Sequence, residues 1–377
     1  MLSNKFRVNY SVGAVANGVK TDTFTFFLLF FYSNIIGLNP GLAGSAIFIA
    51  LCIDAITDPL MGTISDRTNS SFGRRHPYMF ISFIPMSLGY ILLFAPRQEW
   101  DMSQTDLFLW MTIFTVITRI GMTLFDIPHR AFGGEVTKDY KERTILMSWR
   151  EMFAWVAGLS NAFLGYGVFF ASTPEFPQGQ LNPDVWFPFA LTGAAIMVFS
   201  VLYSSLSTKD EINSLSKWSG AISLKDIFNE LKIAIGNKSF LIFFFGNLFL
   251  SLAWGLSNTL TLFVNTYFWE FEATQIKYFL PIYLFGTLFA FYLTPRMVNV
   301  FEKRNIVLIS ISVVGLLSPA AFIFYNLGLT PKNGSFELVL FISSFLLVLI
   351  TFNIIGNMVR DSMVGDIADE VELTSGK

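Results

Sequence analysis

The chain has 377 residues, 53% hydrophobic, 17% aromatic and 14% charged, with a net charge of −2 and a mean hydropathy of +0.55. Soluble domains carry about a quarter charged residues, so a water-soluble globule is excluded, and the small negative charge leaves no basic footprint for nucleic acid. Cys52 is the one cysteine, His76 and His129 stand in no metal-ligand spacing, and no GxxxxGK(S/T) loop is present, which removes disulfides, cysteine metal clusters and a P-loop for ATP.

Apolar runs of about 20 residues, the length that crosses a bilayer, follow one another along the chain. The spans are expected near residues 10–36, 41–65, 77–95, 105–134, 145–170, 185–206, 238–268, 275–295, 305–327 and 336–362. Turn residues separate them, among them Asn39-Pro40-Gly41, Gly73, Pro96 and the stretch from Pro331 to Gly334. Helices are the only open-chain way to satisfy a backbone in lipid, so an all-α membrane protein is predicted. No small-residue cleavage site follows the first run, which is therefore expected to be a retained span rather than a removed signal.

Lys and Arg set the orientation. With the N-terminus inside, twenty fall on inner segments and only Arg97, Lys277 and Lys332 outside, while Lys20 and Arg119 lie within spans. The longest polar stretch divides the chain into an N-terminal bundle of six spans (1–206), a cytosolic linker (207–237) and a C-terminal bundle of four (238–377). Within the linker, Leu224, Ile227, Phe228 and Leu231 at helical spacing behind Ser223 predict an amphipathic surface helix; a plain linker is the alternative. Six spans followed by four is unbalanced for a repeat-built protein, and a chain ending two spans early is expected.

Charges inside spans cost about 2.5 kcal/mol or more at the bilayer centre, so each needs a reason. In the first span these are Lys20 and Asp22. In the second, Asp54 and Asp58 are four apart and share a face, with Thr57 beside them and Pro59 freeing a carbonyl. The fourth span repeats the pattern in Thr123, Asp126 and Pro128, below Arg119, and the fifth opens with Arg150-Glu151. Carboxylates, hydroxyls and freed carbonyls suit a hard cation, and crowded acids suit a proton equally. The bland alternative is that Lys20 or Arg119 neutralises the acids with no ion. Lys20, Asp22, Arg119 and Arg150 are expected to line a polar cavity, where arginine offers a bidentate fork; Arg150 can instead be an interfacial residue. Nothing selects among Trp149, Trp155 and Trp254 as a stacking ring. After the second span, Asp66-Arg67 and Gly73-Arg74-Arg75 predict an ion-paired inner loop that latches one conformation.

Three stretches, DAITDPLMGTISDRT…GRR (54–75), DIPHRAFGGEVTKDYKERT…R (126–150) and GDIADEVELTSGK (365–377), resemble the glycoside–pentoside–hexuronide:cation symporters, the melibiose-carrier group of the major facilitator superfamily. The resemblance runs over essentially the whole chain and implies a two-bundle transporter of twelve-span type, ten spans present. It implies that Asp54, Asp58 and Thr123 contribute to a sodium, lithium or proton site, and that Asp126 and Arg150 contact sugar. There are departures: the family's Asn between the helix-two acids is Thr57, its first-span Lys-Asp pair falls on Asn17-Gly18, and its ring-stacking Trp falls on Arg130. These argue against an α-galactoside and leave a pentoside, a uronide or another solute open.

The reading is a cation-coupled (sodium or proton) symporter of a sugar-like solute, not an enzyme, multi-pass in the cell membrane, without cofactor and expected as a monomer. The alternatives are a lysophospholipid carrier, with Arg119 and Arg130 serving a phosphate, and a non-transporting receptor.

Overall fold

Helix starts follow the turn residues. Asn39 accepts the N–H of Gly41 at 2.8 Å, and Pro40 occupies the first helical position, where its missing donor costs nothing. Ser103 caps the N–H of Asp106 at 3.2 Å, and the Asp106 carboxylate in the first turn suits the positive end of the helix. The computed structural model describes residues 2–68, 70–137, 139–209 and 235–375. The predicted linker helix at 223–231 lies outside the described residues.

The described chain is all helical, with no strand among its elements. Two compact units are distinguished by their internal contacts: Met1–Ala221 with Asn258–Leu262, and Ile222–Ser257 with Phe263–Lys377. The first unit holds α1 (Asn4–Ser11), α2 (Ala14–Asp22), α3 (Pro40–Arg67), α4 (His76–Ile81), α5 (Phe83–Leu93), α6 (Gln104–Glu135), α7 (Tyr140–Leu164) and α8 (Trp186–Ser207). α3 and α6, with 28 and 32 residues, run through Pro59 and Pro128 without breaking. At 1.5 Å per residue both exceed a hydrocarbon core of about 30 Å.

Nine helical stretches among the described residues are long and apolar enough to cross a membrane, matching nine of the ten predicted spans. The remaining one, 10–36, is a succession of helical pieces, none of which reaches that length alone. α2 runs into a π turn at Thr23–Phe27, a short α segment at Leu28–Phe30 and a second π turn at Phe31–Ile36. These pieces are mostly buried, so their apolar residues pack inside the bundle. The outward faces of the other helices carry Phe48 at 67% and Phe199 at 65% exposure with many aliphatic side chains. On a soluble protein such a surface would be a liability; in lipid it is the expected one. The protein is a multi-pass membrane protein.

Within the first unit α6 packs on α3 and α5, α2 packs on α7, and α8 lies against α2 and α5. Small residues permit the closest approaches. A Cβ at Gly18 would meet the Ala154 carbonyl oxygen of α7 at 2.1 Å, and one at Gly121 would meet the Met86 nitrogen of α5 at 2.4 Å. One end of the unit is held by rings: Phe170 lies 4.7 Å from Trp186 and 5.6 Å from Phe27, and Phe94 stacks on Trp186 at 6.4 Å.

The second unit contains α9 (Lys238–Phe263, apart from the residues grouped with the first unit), α10 (Phe279–Val300), α11 (Lys303–Leu317) and α12 (Phe336–Ser375). α12 packs on α10 and α11 around Ala290, Ile306, Ile355 and Val359.

Candidate functional site

The predicted acids of α3 meet polar side chains of α6 across the shared packing face. The Thr123 hydroxyl donates to Asp58 Oδ1 at 2.6 Å. One helical turn away along α3, Arg119 donates to Asp54 Oδ2, leaving Asp54 Oδ1 buried without a hydrogen-bond partner. The arginine-neutralised arrangement, raised from the sequence as the bland alternative, is thus what Asp54 adopts. Thr57 turns its hydroxyl to the Asp54 carbonyl of its own helix at 3.4 Å. Of the four residues predicted for a cation, Asp58 and Thr123 are therefore directly bonded, while Asp54 is engaged by Arg119.

Asp126 goes to arginine. Arg150 donates to Asp126 Oδ1, and Arg130, one turn further along α6, donates to Oδ2 at 2.7 Å. Arg150 also reaches Glu151 at 2.5 Å and is wholly buried, with 1% of its side chain exposed. The guanidinium is thus engaged by the carboxylates of Asp126 and Glu151. Lys20 interacts electrostatically with Arg119, Asp126, Asp54 and Asp58. Its amine lies 6.0 Å from the Phe24 ring centre, and Arg119 lies 5.4 Å from the same ring. Lys20, Arg119, Arg150 and the three acids thus form one charged cluster built from α2, α3, α6 and α7.

Asp22 does not join it. Two residues on from Lys20 it faces the opposite side of α2, since successive residues turn about 100°. Its carboxylate is buried and accepts from Asn161 Nδ2 at 2.8 Å. The π turn beginning at Thr23 leaves that hydroxyl within 3.1 Å of the same amide nitrogen and 2.7 Å from Tyr90 Oη.

Among the described residues no three His, Cys, Asp or Glu side chains gather as metal ligands. Clefts of about 630 Å³, beside Asn39 and Gln104, and about 410 Å³, beside Val19 and Phe153, lie away from the cluster. Trp149 stacks on Phe153 of its own helix, while Trp155 and Trp254 are exposed at 55% and 46%. Gly18 is a helix contact with no room for a side chain.

The inner loop pairs as its charges predict. Gly73 adopts φ +75°, a backbone that favours glycine, and the turn brings Arg75 back to Asp66 at 2.8 Å. Glu135, at the end of α6, bridges Arg75 at 2.5 Å and Arg74 at 2.6 Å. Arg67 closes α3 with its side chain exposed. A second tie joins Arg7 of α1 to Glu142 of α7 at 2.9 Å, and Glu142 also accepts the Leu2 N–H at 3.2 Å. The Arg7 hydrogen bond, aided by that N–H, holds the Glu142 carboxyl below its ordinary value. Sequence reasoning missed Glu135, Glu142 and Asn161, and took Arg130 as the place of a lost Trp or as a phosphate ligand in the lysophospholipid alternative. The Asn161 amide, polar within an apolar span, was the available signal for that residue.

Residues 9–377 match the family model described as MFS/sugar transport protein. The chain is 30% identical over 164 residues to the inner membrane symporter YicJ of Escherichia coli strain K12, covering 44% of this chain and 35% of that protein. It is 23% identical over 316 residues to the isoprimeverose transporter of Lactiplantibacillus pentosus, covering 82% and 63%. It therefore spans less than two thirds of the length of these relatives. The inward-open xylose transporter XylE of E. coli shares the fold, with a TM-score of 0.60 at 14% identity over 92% of this chain and 79% of that one.

Proposed function

The chain belongs to the MFS/sugar transport protein family, and from that premise we propose that it carries out cation-coupled symport of a sugar, glycoside or uronide by alternating access. The observation that carries this reading is the charged cluster of α2, α3, α6 and α7, in which acids and arginines sit inside membrane spans at a cost that structure alone does not require.

The chemistry divides along the cluster. Asp58 and Thr123, bonded to each other, offer oxygens to a sodium ion, and the Asp58 carboxylate can equally accept a proton. Asp54 is their neighbour on α3, and Arg119 supplies its positive charge. An arriving cation replaces that charge, which releases Arg119 toward the cavity. The empty cluster is internally neutralised by its own lysine and arginines, so it can reorient without exposing a bare carboxylate to lipid. Asp126 and Arg150 present an acceptor and a planar donor fork together, with the Arg150 Nε still unsatisfied. Sugar hydroxyls, which both donate and accept, suit such a pair.

Substitution at Asp58 is the direct test. In cells that accumulate a labelled glycoside, Asp58→Asn is expected to abolish gradient-driven accumulation while leaving exchange of solute across the membrane. Accumulation unimpaired in that variant would refute the assignment.

A further inference from the structure

Every acid of the charged cluster has an arginine, lysine or hydroxyl partner. Asp22 is built differently. It is buried, and its one hydrogen-bond partner is the neutral amide of Asn161 at 2.8 Å. The groups facing it are Asn161 of α7 and Tyr90 of α5; α7 approaches through Gly158, whose added Cβ would stand 3.6 Å from the Asp22 Cβ. α8, which also packs against α2, has a single titratable residue, Tyr203, whose hydroxyl is bonded to Asn9 at 3.0 Å, and Arg119 and Asp126 of α6 interact with Lys20 rather than Asp22. Lys20, on Asp22's own helix, is turned toward Arg119 and the other acids. No cation neutralises Asp22 among the described residues.

A second observation concerns what Asn161 leaves unused. Its Oδ1 is buried and has no hydrogen-bond partner, while its Nδ2 serves both Asp22 and the Thr23 hydroxyl at 3.1 Å. The Thr23 hydroxyl meets Tyr90 Oη at 2.7 Å, a pair in which either oxygen can donate. An amide can be reversed end for end without moving its heavy-atom frame. The chain Asp22–Asn161–Thr23–Tyr90 therefore has two alternative hydrogen-bonded arrangements. With Asp22 ionised, the amide nitrogen donates to the carboxylate and to Thr23, and Thr23 donates to Tyr90. With Asp22 protonated, the amide reverses, its oxygen accepts from the Asp22 O–H and from Thr23, and Tyr90 donates to Thr23.

We propose that Asp22 is a proton-binding site separate from the charged cluster, with the Asn161–Thr23–Tyr90 chain as the element that registers its protonation. One proton is taken from water onto a carboxylate oxygen and returned to water, and no other bond changes. The bistable chain links α2, α5 and α7, and Thr23 opens the π turn that interrupts the first span. Proton uptake at Asp22 thus alters the hydrogen bonds that join these three helices, and with them any motion they make during transport. That link to transport rests on the symport reading; the proton site itself does not.

The test is infrared spectroscopy of the purified protein in lipid nanodiscs, titrated from acid to alkaline pH, reading the carbonyl stretch of protonated carboxylic acid. A band is expected that persists at neutral pH, shifts in heavy water and disappears in Asp22→Asn. Asp126→Asn should retain it. Asn161→Leu and Tyr90→Phe, which keep the carboxyl but break the chain, should each move the pH midpoint of the band. A wild-type spectrum without the band at neutral pH overturns the proposal, as does its persistence in Asp22→Asn. Should Asp22→Asn not fold, an unchanged midpoint in both chain variants overturns it equally. Absence of uptake with the band intact would instead count against the symport reading alone.

Discussion

Asp126 and Arg150 form the most deeply enclosed ion pair of the cluster, and its energetics follow from burial. Removing one partner of a buried pair typically costs about 3–5 kcal/mol, because the other charge is left without compensation. Arg150→Leu is expected to be less costly than Asp126→Leu: Asp126 retains Arg130 in the first, whereas Arg150 keeps only the half-exposed Glu151 in the second. The double replacement should recover part of the loss. A double-mutant cycle read by thermal unfolding in detergent checks this, and simple additivity would contradict it. At the inner edge, Glu142 is held below its ordinary value by Arg7, so its contribution to stability is present above the unfolded carboxylate range and is lost as pH falls through the folded value. Glu142→Gln should lower the unfolding temperature at neutral pH, with the difference closing in acid; a difference independent of pH would exclude the pair as its source. The shared face of Asp54 and Asp58 was legible in the sequence because spacing within one helix fixes it. Which acid takes Arg119, and that Glu135 bridges Arg74 and Arg75, was not, since partners on different helices depend on their packing register.

At the scale of elements, the bundle relies on two close approaches between helices. Gly18 touches the α7 backbone, and a side chain there must push α2 and α7 apart, because the obstructing atom is a carbonyl and cannot rotate away. Gly18→Val is expected to destabilise by about 1–3 kcal/mol or more, whereas Gly44→Ala, where nothing lies within 4 Å, should be nearly neutral. Comparing their unfolding midpoints tests the packing account, and equal effects would contradict it. Nine spans were legible from run length and hydropathy alone. The first was legible as apolar but not as irregular: no residue pattern announces the π turns at Thr23–Phe27 and Phe31–Ile36.

For the whole molecule, the distribution of Lys and Arg predicts an orientation with the Asp66–Arg75–Glu135 network facing the cytosol. In a Cys52→Ser background, a membrane-impermeant thiol reagent should label Arg97→Cys in intact cells and label Ser71→Cys only after the membrane is opened. The reverse pattern would invert the topology. Family membership and fold are carried by a match over residues 9–377 and by the shared architecture with XylE, while the solute and its ion rest on the cluster. The most direct measurement is uptake of labelled glycosides and uronides by cells expressing the protein, under an imposed sodium gradient and then a proton gradient. The account predicts accumulation of one solute above its external concentration under one of the two gradients, abolished when that gradient is collapsed. Absence of accumulation under both, from protein demonstrably in the membrane, would contradict it.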